Sequence, residues 1–315
     1  MIKATLLITG FLVLLFQQYV QPIPLQVQYI FFFIGIVLLG VPHGAADLLV
    51  ASQNARNETK SFSKLSFFVN YLSRLIFFGI VLYVSPLVGY IAFIIFAAYH
   101  FGETDLHQFK TKSLVGKLFV ISYGLLILGV ILLNHFDEVK PIFTLFDRTN
   151  KYLFALNYIE NNRYTLLLFL ALLFFVSAFL YFLINKLRQS HPERFLLHFI
   201  FILFILYHLP MILGFTFYFV VWHSVLSLNN IVNYLRKDGQ FTSGIIVKQI
   251  FIYSAIALGG IALVGLSKVM FGNINAMMSY VFIGLAVLTA PHMQIMHNMY
   301  LNIRGYKRIL PKKLI

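Results

Sequence analysis

The sequence predicts an all-α membrane protein, a bundle of about 8 to 10 transmembrane helices that forms a single integral membrane domain over residues 1–315. Its composition predicts this class, because 60% of the residues are hydrophobic and only 11% are charged. So little charge cannot cover the surface of a soluble domain of this length. The pattern agrees, because apolar runs recur along the chain without the alternation of strands or the turn signals of hairpins.

Ten apolar segments are long enough, or nearly long enough, to cross a bilayer, which takes about 20 residues. They cover residues 3–20, 28–50, 64–84, 86–108, 113–135, 163–187, 195–210, 212–235, 245–267 and 274–303. The seventh is short, and with the eighth it can be interpreted as one broken unit around "HLPMILGF", so the predicted number of spans is eight to ten. A long loop of mixed charge is predicted at roughly 136–162.

The charges predict the orientation of the chain. The net charge of +14 would suggest a nucleic-acid partner in a soluble protein, but in a membrane protein it reflects loops, so no nucleic acid is expected. With ten spans and a cytoplasmic N-terminus, 18 of the 24 Lys and Arg residues lie on the cytoplasmic side and five outside. This bias predicts that both termini are cytoplasmic. The absence of cysteine excludes disulfides and thiolate metal ligands.

Four histidines fall inside predicted spans at a similar depth. They are His43 in "VPHGAAD", His100 in "YHFGETD", His223 in "VWHSVLSLNN" and His292 in "APHMQIMH". Counted along the helix, they lie roughly 12–20 Å from the cytoplasmic ends of their spans. An ionisable residue within the membrane indicates function by default, and imidazole suits iron, copper, zinc or nickel. These four side chains therefore predict an intramembrane metal site.

Polar residues near these histidines are candidates to support the metal ligands. Asp47 follows the first histidine by four residues, and Glu103 follows the second by three, so each shares a helix face with it. A metal-bound histidine usually donates its other N–H to a carboxylate or a carbonyl. The predicted supporting residues are Asp47, Glu103, Asp105 and Asn230, and further candidates near the site are His107, His297 and Ser227. His297 is about 140° around the helix from His292, so the two share a metal only if that helix is distorted.

Other interpretations stay open at this point. A single intramembrane histidine often serves as a hydrogen-bonding group between helices, and Glu103 and Asp105 are also compatible with a position near water. A transporter of metal ions or protons also uses such residues, but the outer halves of the four spans are nearly all apolar, with Tyr90 as the main exception. Lipid hydroxylases and desaturases usually carry clustered histidine boxes on cytoplasmic segments, whereas these histidines stand singly on separate helices.

The motifs "PHGAAD", "YHFGETD", "WHS" and "PHM", in this order on membrane spans from about residue 35 to 300, resemble the Brp/Blh family of carotenoid-cleaving enzymes associated with microbial rhodopsins. The resemblance implies a β-carotene 15,15′-dioxygenase that uses histidine-bound non-haem Fe(II) and O₂ to split the central double bond into two retinals. It implies that His43, His100, His223 and His292 are iron ligands, with no catalytic residue beyond them.

The resemblance also implies the partners and the location. The substrate would be β-carotene or a related carotenoid that enters from the lipid bilayer, and a retinal-binding rhodopsin would accept the product. The location would be the inner membrane of a bacterial or archaeal cell. The chain departs from the family pattern at two positions: Ser227 stands where a second histidine follows "WHS" by one turn, and His297 is not expected after "PHM". These departures keep open a divergent member that cleaves another carotenoid or has lost the activity.

Overall fold

The computed structural model describes residues 2–144, 151–185, 192–237, 241–265 and 274–305. Within these ranges the chain forms helices and no strand, which confirms the predicted all-α class. The helices are α1 (Ile2–Val20), α2 (Leu25–Asn57), α3 (Lys64–Val84), α4 (Pro86–Asp105), α5 (Leu114–Asn134), α6 (Phe136–Thr144), α7 (Leu153–Ile184), α8 (Pro192–His208), α9 (Met211–Arg236), α10 (Ser243–Gly265) and α11 (Ile274–Ile303). Among these residues, eight helices are long and apolar enough to cross a membrane, namely α1, α2, α3, α4, α5, α7, α9 and α10.

The prediction of a loop at 136–162 is wrong at both ends of this segment, where the structure has helices. Its first part forms α6, and α7 begins at Leu153, ten residues before the predicted span. The mixed charges are compatible with helices because they pair between them: Arg163 contacts Asp137 at 2.7 Å and Lys140 contacts Glu160 at 2.5 Å. Residues 145–150 of this loop, and the predicted span ends at 186–187 and 266–267, lie outside the described residues.

The chain divides into two compact units, each made of two chain segments. Unit 1 comprises Met1–Gly40 and Phe109–Leu226. Within it α5 packs along α7, and buried aromatic rings fill the space against α8. These rings include Phe119, Tyr123, Phe174, Tyr181 and Phe199. The hydroxyl groups of Ser122 and Ser177 meet at 2.6 Å between α5 and α7, where both are fully buried.

Unit 2 comprises Val41–Gln108 and Ser227–Ile315. Its core joins the second half of α2 to α10, α11 and the end of α9, with Val50, Ile231, Ile246 and Met296 fully buried. A second apolar cluster joins α3 to α4 and α11. Both units contribute helices that are long and apolar enough for a membrane, and a single integral membrane domain over residues 1–315 stays a prediction.

Two helices that carry candidate ligands contain a π-helical stretch. One stretch covers Ile36–Gly40 in α2, and the other covers Thr216–His223 in α9. A π-turn widens the helix by one residue and is frequent at functional sites. The first ends three residues before His43, and His223 is the last residue of the second. The sequence analysis did not predict either stretch.

Candidate metal centre

Unit 2 gathers three of the four predicted histidines. His43 lies in the short helical piece Val41–Ala45 that follows the first π-helical stretch, and His100 lies in the last two turns of α4. His292 lies in α11 directly after Pro291, whose missing N–H interrupts the helical hydrogen bonds at that point. All three side chains are buried, with residues exposed by only 6%, 2% and 6%.

The three imidazole rings lie in direct contact. The ring centroid of His292 is 4.9 Å from that of His43 and 4.9 Å from that of His100, with both pairs of rings close to perpendicular. His43 and His100 each offer a ring nitrogen, and these two atoms lie within 4.8 Å of each other. Three buried imidazoles from three different helices therefore converge on one point of unit 2, as the predicted depths require.

Asp47 supports the site, but at a different histidine from the one that the sequence suggested. Its position four residues after His43 pointed to that ring, whereas the structure places its Oδ1 2.7 Å from Nδ1 of His292. The other oxygen, Oδ2, accepts a hydrogen bond of 3.1 Å from the hydroxyl of Tyr71. Asp47 is buried and fixed from two sides, so it sets the orientation of the His292 ring.

The two nitrogens of His292 have different surroundings. Nδ1 faces the Asp47 carboxylate, and Nε2 on the opposite side of the ring is the nitrogen that could hold a metal. Nε2 is buried and has no hydrogen-bond partner among the described residues. A buried acceptor without a partner is costly, and a metal ion would satisfy it. The residues present therefore fit an imidazole-bound metal.

His223 belongs to unit 1, where it ends the π-helical stretch of α9 and is fully buried. Its ring stacks on Phe219 at 6.1 Å between centroids. Ser227 follows it by one turn, at the start of the second segment of unit 2, and is also fully buried. The Ser227 hydroxyl has no hydrogen-bond partner among the described residues.

Glu103 contacts His297 and Arg304, and not the histidine that the sequence suggested. It was predicted to support His100, but its two oxygens each lie 3.0 Å from Nδ1 of His297. Oε1 also accepts from the guanidinium of Arg304 at 3.1 Å. Because Glu103 is 0% exposed, this contact joins α4 to α11 through a buried ion pair. His297 thus points to this carboxylate, in agreement with its predicted angle of about 140° from His292.

The other candidates occupy the surroundings of this ion pair. Asp105 is 1% exposed and Glu103 is 0% exposed, so neither carboxylate is open to solvent. Nδ1 of His107 lies 2.8 Å from the Thr104 carbonyl and 3.5 Å from Nδ2 of Asn230. Nδ2 of Asn230 also lies 3.4 Å from the Tyr300 hydroxyl, so Asn230 contacts both α11 and the residues that directly follow α4.

The sequence analysis missed two neighbours of the candidate site. Tyr71 lies within an apolar span and carries no signal of its own, because only the contact of its hydroxyl with Asp47 distinguishes it. Arg304 was counted as a cytoplasmic loop charge, although its side chain is only 6% exposed and pairs with Glu103. The available signal was its position directly after the last predicted span, together with the carboxylates in another span.

Comparisons with known proteins identify the family of the chain. A family model described as beta-carotene 15,15′-dioxygenase matches residues 34–300. A protein of an uncultured marine bacterium, 66A03, named beta-carotene 15,15′-dioxygenase, is 24% identical over 268 residues, which cover 82% of this chain and 89% of that protein. No solved structure matches. These matches support a carotenoid-cleavage function in general. The matched region contains all the candidate ligands, and the chain belongs to the beta-carotene 15,15′-dioxygenase family.

Proposed function

We propose that this chain is a β-carotene 15,15′-dioxygenase, which splits the central double bond of β-carotene with O₂ so that each new carbonyl receives one oxygen atom. Two retinals would leave the site. The observation that carries the proposal is the Asp47–His292 contact of 2.7 Å, which leaves Nε2 of His292 without a partner among the described residues, beside the rings of His43 and His100.

The proposed ligands of Fe(II) are His43, His100, His223 and His292. The first, second and fourth are supported by their contacts in unit 2. His223 is included on the sequence grounds given above, namely its predicted depth and the "WHS" motif. When bound, Fe(II) would supply the activation of O₂, which organic side chains do not provide.

The remaining groups position the ligands and exclude water. Asp47 holds the proton of His292 on Nδ1, and the Tyr71 hydroxyl holds Asp47, so the ring keeps one orientation. Apolar neighbours of the ligands, including Ala46, Ala97 and Phe101, are buried. In the proposal, these apolar side chains limit the access of water to the histidines and so limit side reactions. The chain's main contribution is therefore orientation in a dry site.

The supporting candidates Glu103, Asp105 and Asn230 would act one step further out. In the proposal they hold α4 and α11 at the separation that lets His100 meet His292. A lipophilic carotenoid would enter from the bilayer. Cytoplasmic termini, residence in the inner membrane of a bacterial or archaeal cell, and a retinal-binding rhodopsin as acceptor of the product belong to the same proposal.

The test is expression in a bacterial host that accumulates β-carotene, followed by chromatography of the pigments. Loss of β-carotene with appearance of retinal is expected, and His43→Ala, His100→Ala, His223→Ala and His292→Ala should each abolish it. Full activity in any two of these variants would refute the ligand set. His208→Ala is the matched control, because His208 is an exposed histidine at the end of α8 in unit 1.

The same preparations discriminate between functions. Uptake of metal ions into proteoliposomes along a gradient would indicate a transporter, and an uncut carotenoid with a new hydroxyl group or double bond would indicate another oxidase. Intact β-carotene in the presence of the protein and of iron would indicate a different carotenoid substrate, and Ser227 and His297 would be the first positions to exchange.

A further inference from the structure

An arginine lies in the middle of a helix that is long and apolar enough to cross a membrane. Arg74 is ten residues from either end of the 21-residue helix α3, which is about 15 Å along its axis. The adjoining turns carry exposed apolar side chains, among them Phe68, Leu72 and Phe77. A charged side chain at such a depth in a membrane is costly, so it indicates a function.

The guanidinium of Arg74 has no acidic partner among the described residues. Its Nη1 donates a hydrogen bond to Oε1 of Gln294 on α11, and none of the ion pairs that these residues form involves Arg74. A neutral amide oxygen satisfies one of the five guanidinium N–H groups but does not balance the charge. Since Gln294 uses its oxygen for this contact, its Nε2 is a further donor beside the guanidinium.

A groove of about 480 Å³, which we call the α3 groove, adjoins this pair in unit 2. It lies between the first half of α3 and α11, and its volume is in the range of small-molecule sites. Arg74 is the last residue of α3 that lines it. One turn further along the helix, Phe78 is buried in the apolar cluster that joins α3 to α4 and α11. The α3 groove therefore ends at the guanidinium.

The walls of the α3 groove next to Arg74 are largely apolar. Phe67 lies on α3 two turns before the arginine, and Pro291 and Ile295 face it from α11. Helical side chains tilt toward the N-terminus of their helix, so the Arg74 side chain leans along the groove toward the nearer membrane surface. The α3 groove thus combines a cationic end with apolar walls, which is the division of an anionic headgroup and an acyl chain.

We propose that the α3 groove binds an anionic phospholipid, whose phosphate is held by Arg74 and Gln294 and whose acyl chain lies against Phe67 and Ile295. The planar guanidinium matches two phosphate oxygens, and the lipid supplies the counter-charge that the chain lacks. A zwitterionic lipid fits less well, because its own amine already balances its phosphate. This binding site is separate from the dioxygenase activity and does not depend on it.

The preference for lipids is measured on the full chain, purified in a mild detergent and stripped of lipid. The protein is mixed with equal amounts of phosphatidylglycerol and phosphatidylcholine that have the same acyl chains, and the lipids retained on the intact chain are counted by native mass spectrometry. The parent should retain phosphatidylglycerol about fivefold to tenfold over phosphatidylcholine, as expected for one arginine that meets an anionic lipid.

Two variants test the role of the charge. Arg74→Gln removes the cation and should abolish the preference. Gln294→Glu keeps the cation but gives it a carboxylate from the chain itself, so it should abolish the preference as well, without loss of the thermal midpoint of the lipid-free protein. The matched control is Lys64→Gln, which removes a cation of α3 that does not line the groove and should keep the preference.

Equal retention of both lipids by the parent, or a preference that survives in Arg74→Gln and Gln294→Glu, would overturn the proposal. A loss in Lys64→Gln as large as in Arg74→Gln would overturn it in favour of diffuse surface charge. Displacement of the lipid by millimolar inorganic phosphate would assign the site to a soluble anion instead. Neither metal nor carotenoid is present in this assay, so failure of the proposed dioxygenase activity would leave its outcome unchanged.

Discussion

Asp47→Asn should weaken metal binding about tenfold without loss of the fold. The exchange keeps the size of the side chain, and an amide oxygen can still accept from Nδ1 of His292, where Asp47 now accepts at 2.7 Å. The amide nitrogen can meet the Tyr71 hydroxyl, which lies 3.1 Å from the second carboxylate oxygen. What is lost is the charge. A hydrogen bond to a charged group contributes about 1.5–3 kcal/mol and a neutral one about 0.5–1.5 kcal/mol.

The difference of about 1.4 kcal/mol corresponds to the tenfold change in affinity. The assay is anaerobic titration of purified protein with Co(II) or Fe(II) in competition with a chelator. Tyr71→Phe is the graded companion, because it leaves the carboxylate in place and removes only its second hydrogen bond, so about threefold weaker binding is expected. Affinity of the Asp47→Asn protein within twofold of the parent, with an unchanged thermal midpoint of the metal-free protein, would refute the role of Asp47.

Two further exchanges test the packing of each unit. Glu103→Gln leaves a buried guanidinium without its counter-charge, so it should lower the free energy of unfolding by about 3–5 kcal/mol in denaturant titrations. Glu160→Gln, the control in a partly exposed ion pair, should lower it by about 0–1 kcal/mol. Similar losses in the two variants would contradict the buried ion pair. Gly116→Ala would place a Cβ 2.6 Å from the Thr111 backbone, so it should lower the free energy of unfolding by about 1–3 kcal/mol. In Gly79→Ala the new Cβ meets nothing within 4 Å, so this control should raise the free energy of unfolding by up to about 1 kcal/mol. Equal thermal midpoints for these two variants would contradict the packing at Gly116.

The positions of the helices could be predicted where an apolar run is long enough to cross a membrane and has clear signals at its ends. The span at 64–84 agrees with α3 at both ends, since Ser63 caps its N-terminus and Ser85 separates it from α4, which begins at Pro86. The segment at 136–162 could not be predicted in the same way. Its charges are typical of a loop, and only the contacts between α6 and α7 give those charges partners in a helical conformation.

The candidate ligands could be predicted from depth, because a buried imidazole is conspicuous in an apolar span. Their supporting partners could not. Helical periodicity assigns Asp47 to the face of His43, but which neighbouring helix meets that face depends on packing, and there it meets His292. The same holds for Glu103, whose partners lie about 200 residues away. The π-helical stretches also lack a sequence signal, because both consist mostly of the apolar residues that ordinary membrane helices contain.

The separation between Asp47 and His292 bears on how the protein is made. These two residues are 245 positions apart, and unit 2 is completed only by its second segment. During synthesis, α2 with His43 and α4 with His100 are made well before α11, which carries His292. Under the proposed function, the nascent chain would therefore lack the complete ligand set until α11 is made, and only the finished polypeptide would bind the metal.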